Sequence, residues 1–217
     1  MADKLLIVDC DGVLYHPSEL DINAMVYAFN EVCDDFGLKG EKFNYIENCS
    51  RDKPIRGFYN YIASVAQKVD VPTEDFILKM VAHIDYSGIK ADSDGILQKL
   101  SKLSRKCQIC ICTNNHLAHL NHVLKAKFNI EADNLPFAVF DMRFAEKNGN
   151  FHAKESPFFV AKLEQYFGIP AHNFVWIDDN PNILEKVKSF GSQSIQVTDE
   201  NRLKDILEHL EEKEYIK

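Results

Sequence analysis

Along this chain, short apolar runs alternate with longer stretches in which apolar residues recur every three or four positions. The runs "LLIV" (5–8), "CQICICT" (107–113), "FAVF" (137–140), "FVWI" (174–177) and "SIQV" (194–197) predict strands. Runs this short, with little polar alternation, suit strands covered on both faces, as in a parallel sheet. The stretches between them predict helices. "DGILQKLSKLSRK" places Ile96, Leu97, Leu100 and Leu103 on one face. "SPFFVAKLEQYFG" opens with Ser156 as N-cap and Pro157 in the first turn, and closes at Gly168. "NPNILEKVKSFG" has Pro181 early and Gly191 as its C-cap. The last helix, "NRLKDILEHLEEKEY", carries Leu203, Ile206, Leu207 and Leu210 on one stripe, so it packs on the core. Strand followed by helix, repeated, predicts an α/β fold with a doubly wound parallel sheet.

One region breaks the rhythm. Residues 18–88 contain no strand pattern. "LDINAMVYAFNEVCDDFGL" reads as an amphipathic helix, and "KPIRGFYNYIASVAQKVD" as another that starts after Pro54. "PTEDFILKMVAHID" is a third, with Thr73 as N-cap and Glu74 and Asp75 in the favourable first turn. A weaker fourth piece lies around 43–49. The chain therefore divides into a sheet domain, 1–16 and 88–217, and a helical insert, 17–87, placed directly after the first strand.

Composition narrows the function classes. The 217 residues carry a formal net charge of −8, which argues against nucleic-acid polymers and anionic membranes as partners. A phosphate ligand remains compatible, because a metal ion and a few local cations invert the sign inside one cleft. No run approaches the length of a membrane span or a secretory leader, so the expected compartment is the cytoplasm. The six cysteines then read as thiols in a reducing environment. Cys107-x-x-Cys110 has no second pair at zinc-site spacing and alternates like a strand, so it reads as buried hydrophobes.

Ligands of parallel sheets bind at the carboxyl ends of the strands. After the first predicted strand come Asp9 and Asp11, after the second Thr113 and Asn114, and after the fourth Asp178 and Asp179. Lys154 stands just before the helix that Ser156 caps. Carboxylates gathered at one edge repel each other, and a divalent cation resolves the repulsion. Mg²⁺ suits a few carboxylate oxygens, a backbone carbonyl and phosphate or water oxygens. A carboxylate can attack phosphorus, and a second one two residues on can protonate the leaving oxygen and later deprotonate water. Gly12 lets the chain turn sharply beside the pair. Lys154 can balance the charge, while Thr113 and Asn114 can donate to a phosphoryl group.

The segments "DCDGVL", "ICTNN", "HAKESPFF" and "FVWIDDN", in this order and spacing, resemble the four signature motifs of the haloacid dehalogenase superfamily, whose core is Rossmann-like. The resemblance covers about residues 1–16 and 88–200, and the insert resembles the helical cap of subfamily I. It implies Asp9 as nucleophile, Asp11 as acid/base with its carbonyl on the metal, Thr113 as phosphoryl donor and Lys154 as charge balance. It implies Asp179 as the direct Mg²⁺ ligand and Asp178 as an outer or water-mediated partner. Members that cleave carbon–halogen bonds lack an acid at the position of Asp11, so the retained acid favours a phosphatase of small phosphorylated metabolites over a dehalogenase. Cys10 departs from the bulky apolar residue common there. "LYHPSELD" is reminiscent of the pyrimidine nucleotidase-like branch. Nucleotide monophosphates, sugar phosphates and phosphoglycolate all stay open as substrates. A phosphomutase of the β-phosphoglucomutase type, and a non-catalytic binding or regulatory protein on the same fold, are the alternatives.

Outside the motifs, His116, His119 and His122 recur every three residues and read as a solvated helix face, with His116 close behind Thr113. Tyr15 and His16 follow the aspartate loop at the expected entrance to the insert. Hinges are expected near 15–18 and 87–92. Arg51, Lys53 and Arg56 read as a solvated basic helix end, and Glu208, Glu211, Glu212 and Glu214 as a solvated acidic face. The absence of a long heptad run speaks against a coiled-coil dimer and otherwise leaves the oligomeric state open.

Overall fold

The computed structural model describes residues 3–21, 23–41 and 56–212. β1 (Leu5–Val8) is followed by α1 (Ala24–Asp35), α2 (Arg56–Lys68), α3 (Thr73–Ala82) and α4 (Ile96–Leu103). Then come β2 (Gln108–Cys112), α5 (Leu117–Phe128), β3 (Ala138–Phe140), β4 (Glu146–Lys147) and β5 (Asn150–Phe151). The chain continues with α6 (Pro157–Phe167), β6 (Phe174–Asp178), α7 (Pro181–Lys188), β7 (Gln193–Gln196) and α8 (Leu203–Glu212). The main sheet runs β3-β2-β1-β6-β7 with every neighbouring pair parallel. The doubly wound α/β expectation therefore holds, and all five predicted strands are present within a residue of their expected ends.

Side-chain alternation along β1 sorts the core into two layers. Leu6 and Val8 face one cluster with Ile96, Leu100, Leu120, Val123, Ile206 and Leu207 of α4, α5 and α8. Leu5 and Ile7 face the other with Phe159, Leu163, Leu184 and Val187 of α6 and α7. A third cluster is built mainly by α1, α2 and α3, around Phe29, Ile62, Phe76 and Met80. The helical segment between β1 and β2 thus has a core of its own. The segments entering and leaving it are stitched together. A Cβ on Gly88 would lie 2.4 Å from the Glu19 carbonyl oxygen, and Glu19 Oε2 accepts from Lys90 N at 2.8 Å.

Several local expectations are corrected. α3 starts at Thr73 itself, with Pro72 in the N-cap place and no side-chain cap bond. α7 ends at Lys188 with Ser189 as C-cap, so Gly191 serves the turn beyond, at φ +85°. The β4–β5 hairpin was not expected, although Asn148-Gly149, both at positive φ, is its turn signal. Ser156 caps α6 as expected, accepting from Phe159 N at 3.1 Å, and Gly168 closes it at φ +67°. The histidine row is not a solvated face. His116 and His119 are 2% and 1% exposed, and only His122 lies in solvent. His116 stands outside the helix as its N-cap. The expected fourth helix near 43–49, Arg51, Lys53 and Glu214 lie outside the described residues. No described helix is long and apolar enough to cross a membrane. The described cysteines are buried thiols.

Candidate active site

β1, β2 and β6 are adjacent and parallel, so whatever follows them emerges at one edge. Val8 is in register with Ile111 and Ile177, which places Asp9 level with the end of β2 on one side and with Asp178 on the other. Asp9 N donates to the Ile177 carbonyl, Thr113 N to that of Phe140, and Val197 N to that of Asp178, each at 2.9 Å. The backbone therefore fixes the strand ends before any side chain is considered.

Lys154 is 2% exposed and lies between two buried carboxylates. Its Nζ is 2.5 Å from Asp9 Oδ1 and 2.8 Å from Asp178 Oδ2. Burial works to discharge the ammonium, but Asp178 and Asp9 outweigh it and hold its pKa above the ordinary lysine value. Burial pushes the Asp9 carboxyl up, the Lys154 ammonium pulls it back, and the Asp178 and Asp11 charges push it up again. Asp9 Oδ1 also accepts from Cys10 N at 2.7 Å, and Oδ2 accepts no hydrogen bond among the described residues.

Asn114 and Glu155 secure the lysine's loop. Asn114 Oδ1 accepts from Lys154 N at 2.7 Å, and Asn114 Nδ2 donates to Glu155 Oε2 at 3.4 Å. The side-chain amide of Asn114 is thus engaged with the Lys154 loop.

Oxygens of Asp9, Asp178 and Asp179 lie within 4.8 Å of one another. Asp178 is occupied by Lys154 and by the Asn180 amide at 2.9 Å. Asp179 has no cation beside it among the described ion pairs. Burial, then the Asp178 charge, raises its carboxyl to about 6. Gly12 makes room for it: at φ +74°, a Cβ there would sit 2.3 Å from Asp179 Oδ2. A partly desolvated carboxylate without a cation, beside two others, is a donor set suited to a hard divalent cation.

Asp11 faces a different set of groups. Its Oδ1 accepts from Tyr15 Oη at 2.6 Å and lies 2.8 Å from His119 Nε2. Its Oδ2 accepts from Asn115 Nδ2 at 2.7 Å and more weakly from Thr113 Oγ1 at 3.4 Å. Burial opposes ionisation, but His119, Tyr15 and Asn115 outweigh it and hold the carboxyl well below its ordinary value. Thr113 is fully buried and its Oγ1 also accepts from Asn115 N at 2.9 Å. All seven sequence-predicted residues therefore stand at one sheet edge. The sequence reading missed Asn115, His119 and the tyrosines around Asp11. Asn115 and His119 directly follow the Thr113 motif, but nothing in their spacing indicates which way they face.

A second contact joins the helical segment to the sheet domain. Glu74 of α3 bridges the buried His116, at 2.9 Å, and Arg143, at 3.1 Å, and Arg143 Nε also pairs with Asp141 at 2.7 Å.

Comparison with known proteins agrees with this architecture. The family model described as haloacid dehalogenase-like hydrolase matches residues 4–191, and the chain belongs to that family. No curated protein sequence matches the chain significantly. Among solved structures, a HAD-family enzyme from Bacteroides thetaiotaomicron in a magnesium complex is similar at TM-score 0.58 and 16% identity, covering 98% of this chain and 100% of that one. CbbY from Rhodobacter sphaeroides in complex with phosphate is similar at TM-score 0.57 and 15% identity, covering 91% and 86%. A mutant of CbbY is described in complex with xylulose-(1,5)bisphosphate, at TM-score 0.57 and 14% identity over the same shares. At these identities the likeness is one of fold.

Proposed function

We propose that this chain is a Mg²⁺-dependent phosphatase that hydrolyses a small phosphomonoester through an aspartyl-phosphate on Asp9, with residues 17–87 as its subfamily I cap. The observation that carries this reading is the single edge holding Lys154 between Asp9 and Asp178, Asp179 beside them, and Asp11 next to Thr113. Solved relatives of the fold hold magnesium or phosphate, which agrees with it.

Asp9, Asp179 and the Asp11 carbonyl would hold Mg²⁺, with Asp178 an outer partner already engaged by Lys154. When bound, the ion shields the phosphate's charge from the attacking carboxylate. Lys154 and Cys10 N fix Asp9 Oδ1, which leaves Oδ2 free of protein donors. The Asp9 carboxylate attacks phosphorus and the ester P–O bond breaks; Asp11, which its neighbours hold ionised, must first take up a proton, and it passes that proton to the leaving oxygen. Water then attacks the aspartyl-phosphate. Asp11 takes a proton from that water, the bond between Asp9 and phosphorus breaks, and inorganic phosphate leaves with the Asp9 carboxylate restored. Thr113 and nearby backbone N–H groups hold the phosphoryl oxygens, and the helical cap excludes bulk water and selects the leaving group.

The test is phosphate release from a panel of nucleotide, sugar and small-acid monoesters, with Mg²⁺ and with EDTA, in the wild type and Asp9→Asn. Metal-dependent release that Asp9→Asn abolishes supports the reading. Release that persists at the wild-type rate in Asp9→Asn removes the nucleophile and the reading with it.

A further inference from the structure

Beyond Thr113 and Tyr15, Asn115 and His119 reach Asp11, and a tyrosine stands behind each of them. Tyr59 of α2 is 4% exposed, and its hydroxyl donates to Asn115 Oδ1 at 2.7 Å, while Asn115 Nδ2 donates to Asp11 Oδ2 at 2.7 Å. Tyr86, on the segment returning from the helical insert, lies 2.9 Å from His119 Nδ1, and His119 Nε2 lies 2.8 Å from Asp11 Oδ1.

Each tyrosine fixes the polarity of its neighbour. A hydroxyl that donates to the Asn115 oxygen turns the amide nitrogen toward Asp11, and a flipped amide would present oxygen to oxygen. A hydroxyl at His119 Nδ1 specifies, for a neutral ring, the tautomer whose Nε2–H faces the carboxylate. Tyr86 is itself stacked on His122, with ring centroids 4.7 Å apart and planes at 6°. The carboxylate so held lies beside Thr113 Oγ1, where a phosphoryl oxygen would be bound.

We propose that Asn115 and His119 are positioning residues for Asp11, and that Tyr59 and Tyr86 set the carboxylate's orientation from the helical insert and its return segment. The inference rests on the phosphatase reading. The hydrogen-bonded arms keep Asp11 aimed at the leaving oxygen, so proton transfer depends on the insert being docked.

The test compares two esters in the wild type, Tyr59→Phe, Tyr86→Phe and His119→Asn. The leaving group of p-nitrophenyl phosphate departs with little need of a proton, whereas that of glycerol 2-phosphate needs one. General acids contribute about 10²–10⁴-fold, so a misaimed Asp11 lowers kcat on glycerol 2-phosphate about tenfold more than on p-nitrophenyl phosphate, with little change in KM. An equal fall on both esters overturns the inference, since a purely structural role moves both alike. A crystal structure of the Tyr59→Phe/Tyr86→Phe double variant is the second readout: a carboxylate turned away from Thr113 supports the inference, and an unmoved one overturns it. Wild type inactive on both esters, or Asp9→Asn as active as wild type, refutes the phosphatase reading instead, and the double variant's structure then decides whether the tyrosines hold Asp11.

Discussion

Gly12→Ala separates two roles of one glycine. Gly12 and Gly149 have nearly the same φ, +74° and +76°. A Cβ on Gly149 meets nothing within 4 Å, whereas one on Gly12 meets Asp179 Oδ2 at 2.3 Å and Cγ at 2.7 Å, about 1 Å inside ordinary contact. The left-handed backbone costs an alanine about 1–2 kcal/mol at either site, offset by about 0.4–1 kcal/mol of unfolded-state entropy. Gly149→Ala therefore loses about 1 kcal/mol of stability. Gly12→Ala loses roughly 1 kcal/mol more, as the Asp179 side chain is forced off its rotamer. The metal site gives the sharper contrast. At a Mg²⁺ concentration of about 100 Kd, a specific site adds about 2.7 kcal/mol to stability. Disturbing the groups that orient a metal ligand typically weakens affinity about 10–100-fold, which cuts that gain to about 1.4 kcal/mol or less at the same concentration. The assay is urea unfolding of wild type, Gly149→Ala and Gly12→Ala, each in EDTA and in Mg²⁺. An equal Mg²⁺ gain in all three would falsify the placement of Asp179 as a ligand cleared by Gly12.

Lys154→Met leaves Asp9 and Asp178 buried without their counter-charge. Breaking such a pair costs about 3–5 kcal/mol, so urea unfolding at pH 7 should show a loss of that size that shrinks as the pH is lowered and the carboxylates protonate; a loss under about 1 kcal/mol contradicts the ion-pair account. Asp179 titrates at about 6 because burial and Asp178 disfavour its charge. The folded protein holds this proton where the unfolded chain has released it, so the group's contribution to stability is present below the unfolded value of 3.8 and is lost as pH rises through about 6. Mg²⁺ needs the ionised form, so its Kd should rise about tenfold per pH unit below that point and stay level above it; equal calorimetric affinities at pH 5 and pH 7 exclude Asp179 as a ligand. Inorganic phosphate should bind measurably in Mg²⁺ and not in EDTA, and metal-independent binding of equal affinity would count against a metal-bridged phosphate site.

The sheet was legible in the sequence because parallel strands buried on both faces leave short apolar runs, and all five runs became strands. The shared edge of the seven candidate residues was legible because each follows a strand end or precedes a capped helix, so topology alone brings them together. What was not legible depends on side-chain direction across the fold. His119 looked like one member of a polar row on a helix, yet its ring is buried against Asp11, more than a hundred residues earlier in the chain. Tyr59 and Tyr86 read as ordinary aromatic positions of an amphipathic helix and a linker, and only the docking of the insert gives their hydroxyls a partner. The misplaced ends of α3 and α7 have a simpler cause, because caps are set by local dihedral angles that residue type only biases.

The charges at the sheet edge give Asp11 and Asp9, the proposed acid/base and nucleophile, different surroundings. Asp9 and Asp178 share one buried cation, Lys154, while Asp179 stands beside them without one among the described ion pairs, and burial and then the Asp178 charge raise it. On the proposed reading, a divalent cation would offset the repulsion of these carboxylates for an entering phosphate dianion. Asp11 stands two residues from Asp9 but has its own set of partners: His119, Tyr15 and Asn115 stabilise its charge. On the proposed reading, that separation would keep the Asp11 carboxylate off the metal and able to move protons, while Asp9 binds it and attacks. The helical insert and its return segment bear on the Asp11 side through Tyr59 and Tyr86. On the proposed reading, its docking would change proton transfer at Asp11.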